Sequence, residues 1–431
     1  MKQHSRRRFL KGLGVAIGGG IAAPCIIPPA VRGADGAVAP SNRITLAIIG
    51  CGARGGTVLF NFLAEKDVQF IAVCDARLQR QINGKAAVDG FYGNKSCATY
   101  GDFRELLARS DLDPVYVATG CHWHALLSIM AAKAGKDVYS EKPCTLTVAE
   151  GRALMDTTQR MGTVYQAGHQ RRSVDSFRFA AEIVRRGLIG KLQNVLMQVW
   201  EGPAIAPEAP RPIPPNFDYN MWLGWTPWHP YTNARATGWP YFWDTGGGIM
   251  LDMGAHWTDM AQFVRQTDHT MPVEYEGEAT FDPKAFSETP IRGEWRATYA
   301  DGVKLSMRQT GGFDDRFIRF EGSEGWIQVM DGTNAVTAQP ASLLKLRSVS
   351  AKGWGDAGDH ARDFLDCIKS RNPQTICNPP SAHRATAICH VGNICLRLGR
   401  KLRFDPVAER FVGDAEADRM LWRAMRPPWH L

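Results

Sequence analysis

The chain lacks any zinc-type cysteine spacing. Ten cysteines occur among 431 residues, but none forms a C-x-x-C or related pattern, which removes a structural zinc site or a dithiol redox motif. No internal repeat and no low-complexity segment occurs, so a solenoid or a disordered chain is excluded. No long apolar run follows residue 27, which leaves the later chain without a membrane-span candidate. Acids are missing from the first 34 residues, where Lys2, Arg6, Arg7, Arg8, Lys11 and Arg32 cluster. They carry six of the eight excess positive charges. The remaining chain is near +2, too little for a nucleic-acid surface. What remains is ordinary globular composition, 44% hydrophobic and 22% charged, with length for two domains.

The leader has its own meaning. Ser5-Arg6-Arg7-Arg8-Phe9-Leu10-Lys11 is a twin-arginine export pattern. The Gly- and Ala-rich apolar stretch 13–27, broken by Pro24, reads as the core of a signal peptide. Cleavage is expected between residues 30 and 39. An uncleaved anchor is the alternative. The expectation is a periplasmic or otherwise extracytoplasmic protein, exported already folded and without a stable membrane span. Folding before export disfavours disulfides. Cys51, Cys74, Cys121 and Cys144 are read as small buried residues near strand ends.

The pattern along the chain predicts an α/β fold. Strands are expected over 43–49, 68–74, 114–118 and 137–140, with helices over 57–64, 102–107, 124–134 and 148–160. This alternation argues a doubly wound parallel sheet. After residue 166 come a helix over 176–186, an extended segment over 195–201 and a Trp- and Pro-rich stretch over 202–243, read as a long ordered loop. Strands over 294–299, 303–309, 316–321 and 326–329 suggest a mostly antiparallel open sheet. Helices over 359–370 and 381–398 follow. The expected boundaries are a signal and linker at 1–40, a nucleotide domain at 41–165 and a substrate domain at 166–431, its late helices packing back on the first.

Gly50-Cys51-Gly52-Ala53-Arg54-Gly55 follows a buried strand and opens a helix, and Asp75 stands 20 residues beyond Gly55. In that context the glycine pattern specifies a dinucleotide. Gly50 serves the tight turn, Gly52 the approach of the pyrophosphate and Gly55 helix–strand packing. The helix N-terminus supplies free N–H donors and partial positive charge. Asp75 would bind ribose hydroxyls, favouring NAD, while nearby Arg77 and Arg80 leave NADP open.

Three further clusters carry candidate chemistry. Glu141-Lys142-Pro143 follows a strand, and Pro143 would aim Lys142 into the cleft, in reach of a hydroxyl proton. Gly246-Gly247-Gly248 precedes a helix on which Asp252 and His256, at i and i+4, share a face with Asp259. A histidine beside a carboxylate is an acid–base candidate titrating near the working pH. Cys121-His122-Trp123-His124 offers no third ligand, so no metal site is assigned, and His124 is expected to face the cleft. His169, Gln170 and Arg171 are candidate substrate contacts. The tryptophans and tyrosines of 219–243, Tyr241 and Trp243 among them, would stack on a sugar.

Taken together, the Gly50–Gly55 loop with Asp75, Glu141-Lys142-Pro143, Asp252 with His256, and the late stretches 363–368 and 392–400 resemble the Gfo/Idh/MocA oxidoreductase family over nearly all of the chain from residue 42. The resemblance implies an N-terminal Rossmann domain and a C-terminal α/β domain whose open sheet often makes a homo-oligomer, a dimer or tetramer. It implies nicotinamide contacts from Gly50, Gly52, Ala53, Arg54, Gly55, Asp75, Thr119, His122, His124, Glu141 and Lys142. It places Lys142, Asp252 and His256 at the reacting carbon of a carbohydrate, glycoside or cyclitol. An exported enzyme of this kind would hold its cofactor tightly. Some relatives are NAD-dependent glycoside hydrolases, with transient oxidation, elimination, hydration and re-reduction, so that chemistry stands as the alternative. Thr119-Gly120-Cys121 departs from the Thr-Pro that many members carry before His-Trp-His.

Overall fold

The computed structural model describes residues 38–39, 42–346 and 357–431. The leader motif, its apolar stretch and most of the expected cleavage region lie outside the described residues. Ile44–Leu431 forms one compact unit.

The first sheet grows from short β-branched runs. β1 (Ile44–Ile49) sends Leu46 and Ile48 into one apolar layer and Ala47 and Ile49 into the other. A strand buried on both faces is the signature of a parallel sheet. β2 (Val68–Cys74), β3 (Ala98–Tyr100), β4 (Pro114–Val117), β5 (Asp137–Ser140) and β6 (Tyr165–Ala167) complete six parallel strands in the order β3-β2-β1-β4-β5-β6. This is the doubly wound order, with the switch point between β1 and β4, where ligands bind such sheets.

Helices cover both faces. α1 (Ala53–Leu63) buries Val58, Leu59 and Phe62 beneath one of them. It starts four residues before the periodicity predicts, because Gly52 takes the N-cap. α2 (Leu78–Tyr92) has no counterpart in the sequence pattern: only Gly84 and Val88 are buried, so no apolar stripe announces it. α3 (Phe103–Leu107) and α4 (Cys121–Lys133) lie on the opposite face. α4 begins at Cys121 rather than His124, which moves His122 and Trp123 into its first turn. α5 (Val148–Met161) starts with a capping box, Thr147 Oγ accepting from Glu150 N–H and Glu150 Oε2 from Thr147 N–H, which satisfies two otherwise orphaned donors.

α6 (Asp175–Arg185) leads to the second sheet, nine strands from β7 (Leu192–Val199) onward. Between β7 and the next strand lies the Trp-rich stretch, irregular as expected but carrying two short helices, α7 (Tyr219–Leu223) and α8 (Asn233–Thr237). It ends at α9 (Ile249–Asp252) and α10 (Gly254–Arg265). The sheet continues with β8 (Glu274–Thr280), β9 (Arg292–Thr298), β10 (Lys304–Gln309), β11 (Phe317–Gly322), β12 (Trp326–Met330) and β13 (Val336–Gln339). α11 (Ala357–Ser370) and α12 (Pro379–Leu398) follow, then β14 (Leu402–Asp405), β15 (Arg410–Phe411) and α13 (Ala415–Arg419).

All neighbouring pairs assigned in this sheet are antiparallel except β7 with β10. One face carries Trp295, Leu305, Ile318 and Ile327 against α6, α10 and α12. The alternate residues of β9, such as Arg292 and Arg296, point to solvent. α11 packs Phe364 against Phe62 of α1 and Tyr139 of β5. Among the described residues no helix is long and apolar enough to cross a membrane, and all nine cysteines are unpaired.

Candidate active site

The loop after β1 is built around glycine. Gly50 has φ +98°, and a Cβ there would stand 2.5 Å from the Ala118 carbonyl oxygen. A Cβ on Gly55 would stand 2.2 Å from the Gly50 oxygen, so glycine is what lets α1 sit so close to β1. Gly52 differs: its missing Cβ would meet only the Arg80 guanidinium, at 3.5 Å. Backbone therefore lies open toward a ligand at Gly52. No side chain caps the N–H groups of the first turn of α1, which leaves them free for an anion.

These groups border a cavity of about 330 Å³. Gly50, Gly52, Ala53, Arg54, Asp75 and Thr119 line one side. Asp75 Oδ2 accepts from Cys51 N–H at 2.8 Å and Oδ1 from Arg77 N–H at 2.9 Å. Two oriented donors leave each oxygen a further lone pair for a ribose hydroxyl. Burial pushes the Asp75 carboxyl up, against those N–H donors and the Arg80 charge. Free helix-start donors, a backbone cradle and a fixed carboxylate at the switch point fit a dinucleotide. The rest of the lining includes four aromatic rings, Phe103, Trp123, Trp222 and Trp239, with Met221 among them. The reading of 219–243 as a sugar platform did not foresee Trp222 and Trp239 here.

The His122-Trp123-His124 run divides its labour. Trp123 lines the cavity, whereas His122 and His124 do not. His122 Nε2 bonds the Trp222 carbonyl at 2.8 Å. His124 Nδ1 lies 2.7 Å from the Pro143 carbonyl and Nε2 3.1 Å from the Thr119 carbonyl; a neutral ring donates to one of the two, and the shorter contact is the one assigned. Burial pushes His122 down to about 4 and also lowers His124. His124, expected to face the cleft, is turned to backbone carbonyls instead, and His122, expected at the nicotinamide, bonds the Trp222 carbonyl.

Lys142 and Asp252 form the second constellation. Lys142 Nζ donates to Asp252 Oδ1 at 2.6 Å and to the Asp252 carbonyl at 2.9 Å. Lys142 follows β5, in a cis peptide with Pro143, and Asp252 closes α9. The preceding Glu141 is buried and takes Arg54 Nε at 3.1 Å and Gln170 Nε2 at 3.1 Å. Arg54 thus ties the first turn of α1 to the residue beside Lys142, and Glu141 in turn pushes the Arg54 pKa up.

Other expected partners differ. Asp252 and His256 are not on one helix, because Met253 separates α9 from α10. Asp252 pairs with Lys142, and no hydrogen bond joins it to His256. Asp259 is fully buried and grips Arg172, with Nη2 at 2.7 Å and Nε at 2.9 Å. His256 meets His169 edge to face, ring centroids 5.6 Å apart. Burial first, then the charges of Arg171 and Lys142, holds His256 well below the usual histidine range. Burial with Arg172 and Lys142 does the same to His169. Both rings are therefore neutral, not titrating near the working pH.

Of the expected substrate contacts, Gln170 bonds Tyr139 Oη at 2.9 Å as well as Glu141. Arg171 forks onto Asp331 at 2.9 and 2.7 Å. Trp243 is clasped by the guanidinium groups of Arg397 and Arg423, 4.3 and 4.4 Å from its ring centre. Each of the three thus has partners within the protein. Tyr241 is half-buried; burial and then the charge of Asp252 push its phenol up. His169, Asp259 and Cys377 bring ligand-type atoms within 4.8 Å of one another, but the Asp259 carboxylate is already taken by Arg172.

Two family models match. Residues 44–169 match the NAD-binding Rossmann fold of the oxidoreductase family and residues 195–431 its C-terminal alpha/beta domain. A "Glycosyl hydrolase family 109 protein" of Solibacter usitatus is 32% identical over 165 residues, 37% of either chain. The "Myo-inositol 2-dehydrogenase" of Thermotoga maritima is 28% identical over 221 residues, 51% of this chain and 54% of that one. The chain thus spans about a third to a half of the length of these curated relatives. In fold it is similar to the WlbA dehydrogenase of Bordetella pertussis, solved with NADH and UDP-GlcNAcA: TM-score 0.63, 16% identity, 84% of this chain and 99% of that one. With a family model covering more than half of its length, the chain belongs to the Gfo/Idh/MocA oxidoreductase family.

Proposed function

We propose that the protein is a nicotinamide-dependent oxidoreductase acting on a CH–OH carbon of a sugar, glycoside or cyclitol. The observation that carries this is the Lys142–Asp252 pair, 2.6 Å long, next to the Glu141–Arg54 tie to the dinucleotide loop. Asp252 fixes the Lys142 ammonium, which then holds the substrate hydroxyl oxygen and offsets the negative charge developing there. His256 is the group assigned to take the hydroxyl proton, although burial and the Arg171 and Lys142 charges make it a weak base. Bound NAD would take the hydride from the same carbon, its phosphates on the first turn of α1 and its ribose on Asp75. Arg80 at the cavity wall leaves NADP as a weaker second ligand.

The remaining expectations support one picture. The twin-arginine leader would carry the enzyme out of the cytoplasm already folded, with its nucleotide bound. Away from the cytoplasmic pool, tight binding and reoxidation within the enzyme, or by a second substrate, would sustain turnover. The open face of the antiparallel sheet would serve a homo-oligomer.

A second reading is redox-assisted glycoside hydrolysis. The Solibacter relative's name favours it, and Tyr241, whose phenol feels the Asp252 charge, is a candidate acid–base group for elimination. A panel of sugars, cyclitols and aryl-glycosides separates the two. Lasting nicotinamide reduction without aglycone release supports the dehydrogenase. Aglycone release without lasting reduction supports the hydrolase. Neither signal with any compound rejects both.

A further inference from the structure

The aromatic wall of the nucleotide cavity does not stand alone. Trp123 Nε1 donates to the carbonyls of Met221 and Trp222, each at 3.1 Å. Gly224 lies so close behind it that a Cβ there would stand 2.4 Å from Trp123 Cζ2. Only the five-residue α7 gives the 219–226 stretch any regular structure. Few backbone hydrogen bonds hold such a stretch against opening.

The segment 420–431 lies against the outside of this wall. Trp429 meets Trp123 edge-on at 4.9 Å and Phe103 at 6.0 Å, and the Arg104 guanidinium lies 5.6 Å over its ring. Arg426 gathers the stretch: Nη1 donates to Asn220 Oδ1 at 2.7 Å, Nη2 to the Gly224 carbonyl at 2.5 Å and Nε to the Thr226 carbonyl at 3.1 Å. Its backbone N–H donates to the Trp225 carbonyl at 2.8 Å. A single planar guanidinium thereby fixes three points of one loop, a role lysine cannot fill. Two of the residues that Trp429 touches, Trp123 and Phe103, themselves line the cavity.

We propose that segment 420–431 is a brace that holds the aromatic wall closed and sets the rate at which the dinucleotide leaves. Arg426 and Trp429 are its positioning residues; neither lines the cavity. This rests on the nucleotide reading of that cavity. Opening the wall requires Trp123 to part from the 219–226 carbonyls, and the brace restrains both partners at once. An enzyme working away from a cofactor supply would gain from slow release of this kind.

The test loads the full chain with NADH and follows its release by fluorescence after excess NAD⁺ is added. Arg426→Ala and Trp429→Ala should each release NADH about tenfold faster, the ratio expected from losing roughly 1.4 kcal/mol of restraint. Trp429→Phe should stay near the parent, and Arg426→Lys should fall between. Turnover at saturating nucleotide should hold, since Lys142 and Asp252 are untouched. Hydrogen exchange should rise at 219–226 while β1 and β4 stay protected, separating an opened wall from a misfolded chain. Release at the parental rate from both alanine variants overturns the brace alone. A parent chain that binds no NADH overturns the nucleotide reading, and the brace with it.

Discussion

Lys142 and Asp252 meet at 2.6 Å across 110 residues of chain. One follows the fifth strand of the parallel sheet and the other closes a helix that leads into the antiparallel half. Replacing Lys142 by Met should lower turnover by about 10² to 10⁴ and leave nicotinamide binding unchanged, as read by NADH fluorescence titration. Asp252→Asn should lose less, because the Asp252 carbonyl still accepts from Lys142.

Gly50 is a backbone requirement rather than a contact. Gly50→Ala forces a side chain into φ +98° and against Ala118. Strain of about 1–3 kcal/mol follows, and the turn that aims α1 at the cavity should shift. The expected result is a lower melting temperature together with weaker nucleotide binding. Asp75→Ala, by contrast, should weaken NAD binding more than NADP binding.

The buried histidines set the acid limit of stability. Burial holds His122 and His360 at about 4 and His390 at about 3, and also lowers His124, His169, His256 and His383. The folded chain keeps these groups neutral, while the unfolded chain protonates them below about 6.5. Their stabilisation is therefore present above pH 6.5 and is lost as pH falls toward 4. For His122, His360 and His390 the slope reaches at most about 1.4 kcal/mol per pH unit each in that window. Glu150, raised to about 7 by burial, and Asp75, Asp137, Asp259 and Asp363, also raised by burial, act oppositely but are fewer than the seven histidines. Melting temperature should fall steadily from pH 6.5 to 4.5.

Arg171 looks like a substrate contact in the sequence and is a structural ion pair in the fold. Removing it leaves Asp331 buried with only Arg316, whose Nε lies 2.7 Å away. Arg171→Met should cost about 3 kcal/mol of stability, measured by urea denaturation, with the substrate KM of the folded protein little changed.

How much was legible follows from range. The Gly50–Gly55 loop, Asp75 and the β-branched strands act through neighbours close in sequence, so their pattern carries their meaning. Lys142 and Asp252 were recognisable as motifs, but their pairing spans 110 residues and periodicity cannot report it. The same distance hides the fate of Arg171, whose partner Asp331 is 160 residues away. His256 was legible as a residue and misread in its ionisation, because burial and cations from other elements decide that. Trp123 was passed over between two histidines, although a large aromatic in the first turn of a helix at the switch point was a usable signal. Trp222 and Trp239 needed the fold to show which ligand they face.

The most direct test of the account is a single-turnover experiment. Parent protein and the Lys142→Met variant, each saturated with NAD⁺, are mixed with the panel of sugars, cyclitols and glycosides while reduced-nicotinamide absorbance is followed. The account predicts a burst of reduced nicotinamide from the parent with at least one carbohydrate, and none from the variant despite equal nucleotide binding. A burst of equal rate from the variant, or none from the parent with any compound, would contradict it.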